Sequence, residues 1–212
     1  MAERKLIIPL SDFNRIYQTA HGTLQSVTSG EKSCIFFAAF GAAILNLQYK
    51  IPARVVAGAF GLTLNDASEG VVFGVEEAGS IRPSEDGFHM WVQTNTDFID
   101  FMSPIYQEAF SEKLPADTTL PRLMFQKAFA LEAGGGEEMA DKGNFFTLPD
   151  EALTKALVDS FFNIPANGDL LKIAVEWYGS RRSKQPSAIQ ITNDLGEITG
   201  LKLPTIRANG SW

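Results

Sequence analysis

The chain is poor in the residues that build stapled or metal-centred proteins: it has one cysteine, Cys34, and two histidines, His21 and His89. A single cysteine closes no intrachain disulfide, which excludes both a disulfide-stapled secreted scaffold and a multi-cysteine zinc site. A metal site needs three or four converging ligands, so neither a metal nor any other cofactor is expected. Positive charge is also scarce. Eighteen Lys and Arg face 25 Asp and Glu, for a net charge of −7, so the surface that neutralises nucleic-acid phosphates is missing and acidic partners are disfavoured. The longest apolar run, Cys34 to Leu45, has about twelve residues against the roughly 20 that span a bilayer, so no membrane partner is expected. Met1 to Leu10 opens with Glu3, Arg4 and Lys5 and lacks the apolar stretch of a signal peptide, which leads to the expectation of a soluble, cytoplasmic protein. No phosphate-loop or dinucleotide fingerprint occurs, and no internal repeat.

The remaining composition is that of a core-forming chain, with 45% apolar and 20% charged residues. At 212 residues, against roughly 150 per domain, one domain over 1–212 is expected, with a core at about 11–104 and an extension at about 105–212. Phe13, Ile16, Tyr17, Ala20, Leu24 and Val27 fall on one helical face behind a start at Ser11 and Asp12. A polar break around Gly30 leads to Ser33, the expected cap of a second helix that Cys34 opens. From Ile35 to Leu47 that helix is apolar all round, which predicts burial on every side, and Pro52 sets its end. Strand patterns follow at Arg54 to Phe60 and Val71 to Val75, and Phe88 to Val92 with Phe98 to Met102 reads as a hairpin. Downstream, a helix is expected over Pro121 to Leu131, a flexible stretch at Gly134 to Gly136, helices from Thr147 to Phe162 and over Leu170 to Trp177, and a final strand pair around Ile189 to Leu203. The fold class is α+β, with a cysteine-bearing helix buried among strands.

The chemistry-bearing residues converge on the predicted hairpin. Unpaired N–H groups at a helix start favour negative charge, the setting in which a cysteine thiolate becomes a nucleophile. Cys34 occupies such a start and needs a base. His89 lies in a strand and Asp100 follows eleven residues later. If the hairpin loop is even, strand alternation puts His89, Trp91, Asp100 and Met102 on one face and makes His89 and Asp100 direct or diagonal neighbours. A carboxylate there fixes the imidazole tautomer and turns the other ring nitrogen toward the thiol. The plain alternative is a small buried cysteine and a structural histidine.

Ser33-Cys34-Ile35-Phe36-Phe37-Ala38-Ala39-Phe40, continuing into Ile51-Pro52-Ala53-Arg54-Val55, resembles the core of the transglutaminase-like superfamily. His89-Met90-Trp91-Val92 is similar to that family's His-x-Trp-Val strand, and Ile99-Asp100 with Pro104 beyond it to the strand that carries its acid. The likeness covers residues 33–104, about a third of the chain. It implies a papain-like architecture, a buried helix packed on an antiparallel sheet with additional C-terminal helices. It implies Cys34 as nucleophile, His89 as acid and base, and Asp100 as the residue that orients His89. The implied activity is that of a cysteine hydrolase or acyltransferase, peptidase-like or amidase-like, acting on a peptide or a small amide or acyl substrate. Trp91 is then expected to line the cleft and touch substrate. The alternative is a catalytically inactive module of the same fold that uses the cleft for binding. A homo-oligomer is compatible with the sequence but not predicted by it. The Arg-Gly-Gly-x-Cys signature of arylamine acetyltransferases and the Cys-Gly-x-Cys-Trp of papain are both absent.

Other residues carry plainer expectations. His21, four residues after Tyr17, is expected to be a hydrogen-bonded structural histidine and the spare catalytic candidate. Gln18 and Gln25 precede the cysteine and are candidates for an oxyanion donor. Arg54 is expected in an ion pair, and Glu76-Glu77 and Glu137-Glu138 as surface charge. The Arg181, Arg182 and Lys184 cluster reads as a solvated face that could also hold an anionic group.

Overall fold

The computed structural model describes residues 6–25, 33–65, 69–111, 114, 118–133, 139–179 and 185–212. The expected break around Gly30, the Gly134 to Gly136 stretch, Glu137-Glu138 and the Arg181, Arg182 and Lys184 cluster lie outside them.

The first helix, α1 (Leu10–Leu24), buries Phe13, Ile16, Tyr17, Ala20 and Leu24, the face expected from their spacing. It starts one residue earlier than Ser11, behind Pro9, whose fixed φ makes it a stop that needs no donor. The second helix, α2 (Ser33–Ile44), carries Cys34 in its first turn and buries Phe36, Phe37 and Phe40 as well as Ile44. It ends in a π turn (Leu45–Tyr49) capped by Lys50 at φ 57°, just ahead of Pro52. The Asn46 side chain ties this exit to the next strand by donating to Ala42 O at 2.8 Å and Ala53 O at 2.7 Å.

A six-stranded antiparallel sheet is built on β1 (Arg54–Thr63). Along one edge β1 pairs with β5 (His89–Gln93) and then with β2 (Gly70–Phe73); along the other it pairs with β8 (Phe145–Pro149). Beyond β5 come β6 (Asp97–Asp100) and β7 (Phe125–Ala128). The chain leaving β7 reaches β8, where Ala133 N–H donates to Phe145 O at 2.8 Å, so the sheet curls upon itself. Phe60, Phe98, Phe125 and Phe145 fill its inner face, the closest ring centroids being 5.2 Å apart. A small hairpin of β3 (Val75–Glu77) and β4 (Ser80–Arg82) precedes β5.

Helix α2 packs on β5, and the approach is close because residue 41 is glycine. A Cβ there would lie 2.2 Å from the Phe101 ring. After β6 a 3-10 turn (Ser103–Ile105) leads into a single helical turn, α3 (Tyr106–Ala109). Helices α4 (Glu151–Phe162) and α5 (Pro165–Tyr178) cover the other sides of α2, and β9 (Ala188–Thr192) pairs with β10 (Ile198–Lys202) as a separate hairpin. The last residues return to the body: Asn14 and Ala208 exchange two hydrogen bonds, and Trp212 N–H donates to Met124 O.

Two expectations are corrected. Pro121 to Leu131 is not a helix; β7 occupies its middle because β6 offers an open edge and Phe125 fits among the inward rings, and tertiary pairing outweighs the helix-forming Leu, Met, Gln and Lys. Thr147 and Pro149 belong to β8 rather than to a helix start, and Asp150 alone caps α4 by accepting from Leu153 N–H at 2.8 Å. Among the described residues no helix is long and apolar enough to cross a membrane.

Candidate active site

The β5–β6 hairpin sets the geometry. Gln93 pairs with Phe98 and Val92 with Ile99, leaving an even connection closed by Thr94 N–H on Asp97 O at 2.9 Å. Continued, this register sets Asp100 opposite Trp91 and diagonal to His89, with all three on one face. The diagonal contact is made: His89 Nε2 and Asp100 Oδ2 are 2.5 Å apart, and both residues are 1% exposed. Nδ1 is left as the nitrogen free of the carboxylate.

The Asp100 carboxylate takes two further donors. Met102 N–H donates to Oδ1 at 2.8 Å, and the Tyr106 hydroxyl donates to Oδ2, the same oxygen that faces the imidazole. Cys34, in the first turn of α2, lines the same cleft as His89 and interacts with its ring. Burial alone lowers the proton affinity of His89; the charge and hydrogen bond of Asp100, followed by the hydrogen-bonding and charge of Cys34, outweigh it and push the pKa up to about 10. The imidazolium is therefore the form favoured at neutral pH. Burial, then the Asp100 charge, push the Tyr106 phenol well above its ordinary value, so it stays a neutral donor.

Cys34 is 7% exposed, and both it and His89 line a cleft of about 220 Å³. Phe73, Phe88, Met102 and Phe110 form its apolar walls, and Glu85 and Asp86 are its charged rim. Phe60 stacks on the His89 ring and Phe73 tilts against it, each with centroids 5.2 Å apart. Cavities of about 530 and 540 Å³ lie elsewhere, one between α1 and the C-terminal segment and one beside α5 and β9. Neither contains Cys34, His89 or Asp100, so the smaller cleft is the one that brings the thiol and the imidazole together.

The structure thus brings Cys34, His89 and Asp100 together, and it separates other residues singled out by sequence. Trp91 shares the His89 face but does not line the cleft; it is 1% exposed and stacks on Phe98 at 5.2 Å. The reason is strand rise: two residues along β5 carry it about 7 Å past His89 into the core. His21 accepts or donates at 2.9 Å with the Tyr17 hydroxyl, and burial lowers its pKa. Gln18 is spent on Pro204 O at 2.7 Å, and neither it nor Gln25 lines the cleft. Arg54 lies 3.9 Å from Glu151 in an exposed ion pair, and Glu76 and Glu77 are exposed. Among the described residues no group of three or more His, Cys, Asp or Glu side chains could hold a metal. Sequence reasoning passed over Tyr106 and Phe110, because the turn that swings them back onto β5 leaves no periodic signal.

A family model described as "Protein of unknown function (DUF2026)" matches residues 9–212. No curated protein matches the chain. A solved structure described as "The crystal structure of genomics APC5867" is similar over 100% of both chains, with a TM-score of 0.84 and 22% sequence identity, a likeness that concerns the fold alone.

Proposed function

We propose, for a chain that belongs to the DUF2026 family of unknown function, the activity of a thiol hydrolase or acyltransferase on amide or related acyl bonds. In this reading the protein is a transglutaminase-like member of the papain-like architecture, and Cys34, His89 and Asp100 are its triad. The observation that carries it is the cleft in which the chain's single cysteine meets an imidazole whose far nitrogen is bound by a buried carboxylate.

The chemistry follows from those positions. The Cys34 sulfur attacks the substrate carbonyl carbon, and backbone N–H groups at the start of α2 face the developing oxyanion. The tetrahedral adduct collapses as the carbon–nitrogen bond breaks, and His89 gives its Nδ1 proton to the leaving amine. Asp100 keeps the ring oriented and balances the imidazolium. Water or an amine then attacks the thioester, returns a proton to Nδ1, and releases the sulfur. With the pKa of His89 pushed up to about 10, the acid needed for the first step is already charged at neutral pH. The substrate is a peptide or a small amide or acyl compound whose apolar part rests against the wall formed by Phe73, Phe88, Met102 and Phe110.

Alkylation of the native protein at pH 7, read by intact mass, tests this. Iodoacetamide is expected to modify Cys34 in the folded protein, and His89→Ala to slow the reaction about 10²-fold, the lower end of what a positioned acid–base group contributes. Reaction only after denaturation, or an equal rate in both proteins, would leave a binding module of the same fold instead.

A further inference from the structure

A buried carboxylate is a costly group to hold, and which donors satisfy it decides which way it faces. Asp100 has donors on both oxygens, from three different places in the chain: the β5 imidazole, the Met102 amide just past β6, and the Tyr106 hydroxyl on α3. Two of them share Oδ2. The backbone donor alone holds the carboxylate plane only within the broad angular range a single hydrogen bond tolerates. A phenol on Oδ2 narrows that range.

Tyr106 is suited to the task because it is itself fixed. It is fully buried, its ring stacks on Phe110 with centroids 4.4 Å apart, and it meets the His89 ring edge-on at 6.4 Å. The turn that carries it is braced at its base, where Arg122 donates to Pro104 O at 2.6 Å and pairs with Glu108. Phe110 in turn packs on Phe73 at 4.5 Å, and both rings are walls of the cleft. One short element therefore carries a cleft wall and a tether of the buried acid.

We infer that Tyr106 is a positioning residue of the proposed site, which acts through Asp100 to hold Oδ2 against the His89 ring. The inference rests on the reading of Cys34, His89 and Asp100 as a triad. Tyr106 touches no substrate and no reacting atom. Its hydroxyl sets the orientation of the carboxylate, the carboxylate sets the charge of the imidazole, and the imidazole sets the reactivity of the thiol. Among the described residues the titratable groups around the ring are Cys34 from α2, Asp100 from β6, Tyr106 from α3, and Glu85 and Asp86 on the cleft rim; β1 and β2 contribute the rings of Phe60 and Phe73.

The test is the pH profile of Cys34 alkylation by iodoacetamide in the wild type, Tyr106→Phe, Asp100→Asn and His89→Ala, with thermal unfolding of each as a control for folding. Tyr106→Phe keeps the ring and its stacking on Phe110 and loses only the oxygen. Its alkaline limb, where the imidazolium deprotonates, is expected about one pH unit below that of the wild type, equivalent to a tenfold loss of proton affinity. Asp100→Asn is expected to move the limb further in the same direction. A Tyr106→Phe limb that overlays the wild type, or lies above it, overturns the positioning role whatever happens to stability. A limb unchanged by His89→Ala overturns the triad itself, so the two failures are told apart. Should Tyr106→Phe not fold, the unaltered protein supplies a second readout. A phenol bonded to a buried carboxylate exchanges its proton slowly, and that resonance is expected to shift when Cys34 is alkylated; no shift contradicts the inference.

Discussion

His89 is the residue on which the proposed chemistry and the stability of this protein meet. Its pKa is raised from 6.5 to about 10 in the folded chain, burial opposing the change and Asp100 and Cys34 driving it. The folded state therefore holds a proton between these values that the unfolded chain has released, and linkage makes stability fall as pH rises through that window. The stabilisation is complete below pH 6.5 and gone above about pH 10. Thermal unfolding of the wild type and His89→Gln across that range is expected to give the largest gap in Tm at the acidic end and a closing gap toward the alkaline end, at about 2–4 °C per kcal/mol for a chain of this size. A gap that stays constant with pH counters the account. The His89–Asp100 pair was legible in the sequence because period-two alternation and an even hairpin are enough to make the two neighbours, whereas Cys34 was joined to them by its place at a helix start and by the family resemblance. Tyr106 was not, since its position depends on a 3-10 turn, and Trp91 was misjudged because sharing a face with His89 says nothing about depth along the strand.

Helix α2 is the element that carries Cys34 to the hairpin, and its fit depends on residue 41. A methyl group there would meet Phe101 at 2.2 Å and Val92 at 3.2 Å, with the Phe101 ring itself 1% exposed and unable to swing out. Gly41→Ala is expected to cost about 1–3 kcal/mol, the range for overpacking a filled core. By lifting α2 from β5 it is also expected to slow Cys34 alkylation; wild-type stability and rate in this variant would mean that α2 does not depend on the close approach. Both early helices could be read from the chain, since a one-sided apolar stripe and an all-round apolar run each have a single burial solution. Strands β7 and β8 could not. Whether Phe125 to Ala128 coils or extends is decided by the open edge of β6, and β8 answers to the far edge of β1; neither edge is visible in local sequence.

At the scale of the whole molecule, residues 105–212 do more than extend a core. They supply two strands of the central sheet, two helices that enclose α2, and a terminal segment that grips α1 through Asn14 and β7 through Met124. The cleft is consequently a product of the entire fold, with its thiol from one end of α2, its imidazole and the carboxylate behind it from a hairpin, and part of its wall from α3. The net charge of −7 and the acidic rim at Glu85 and Asp86 give that cleft no attraction for anionic substrates. The most direct measurement is the intact mass of the native protein, quenched soon after mixing with an activated acetyl ester and mapped by peptide analysis. One acetyl group is expected on Cys34, transient in the wild type because water releases it, and absent from Cys34→Ala. A folded protein whose Cys34 takes no acetyl group, or whose only acetylation lies on other residues, contradicts it.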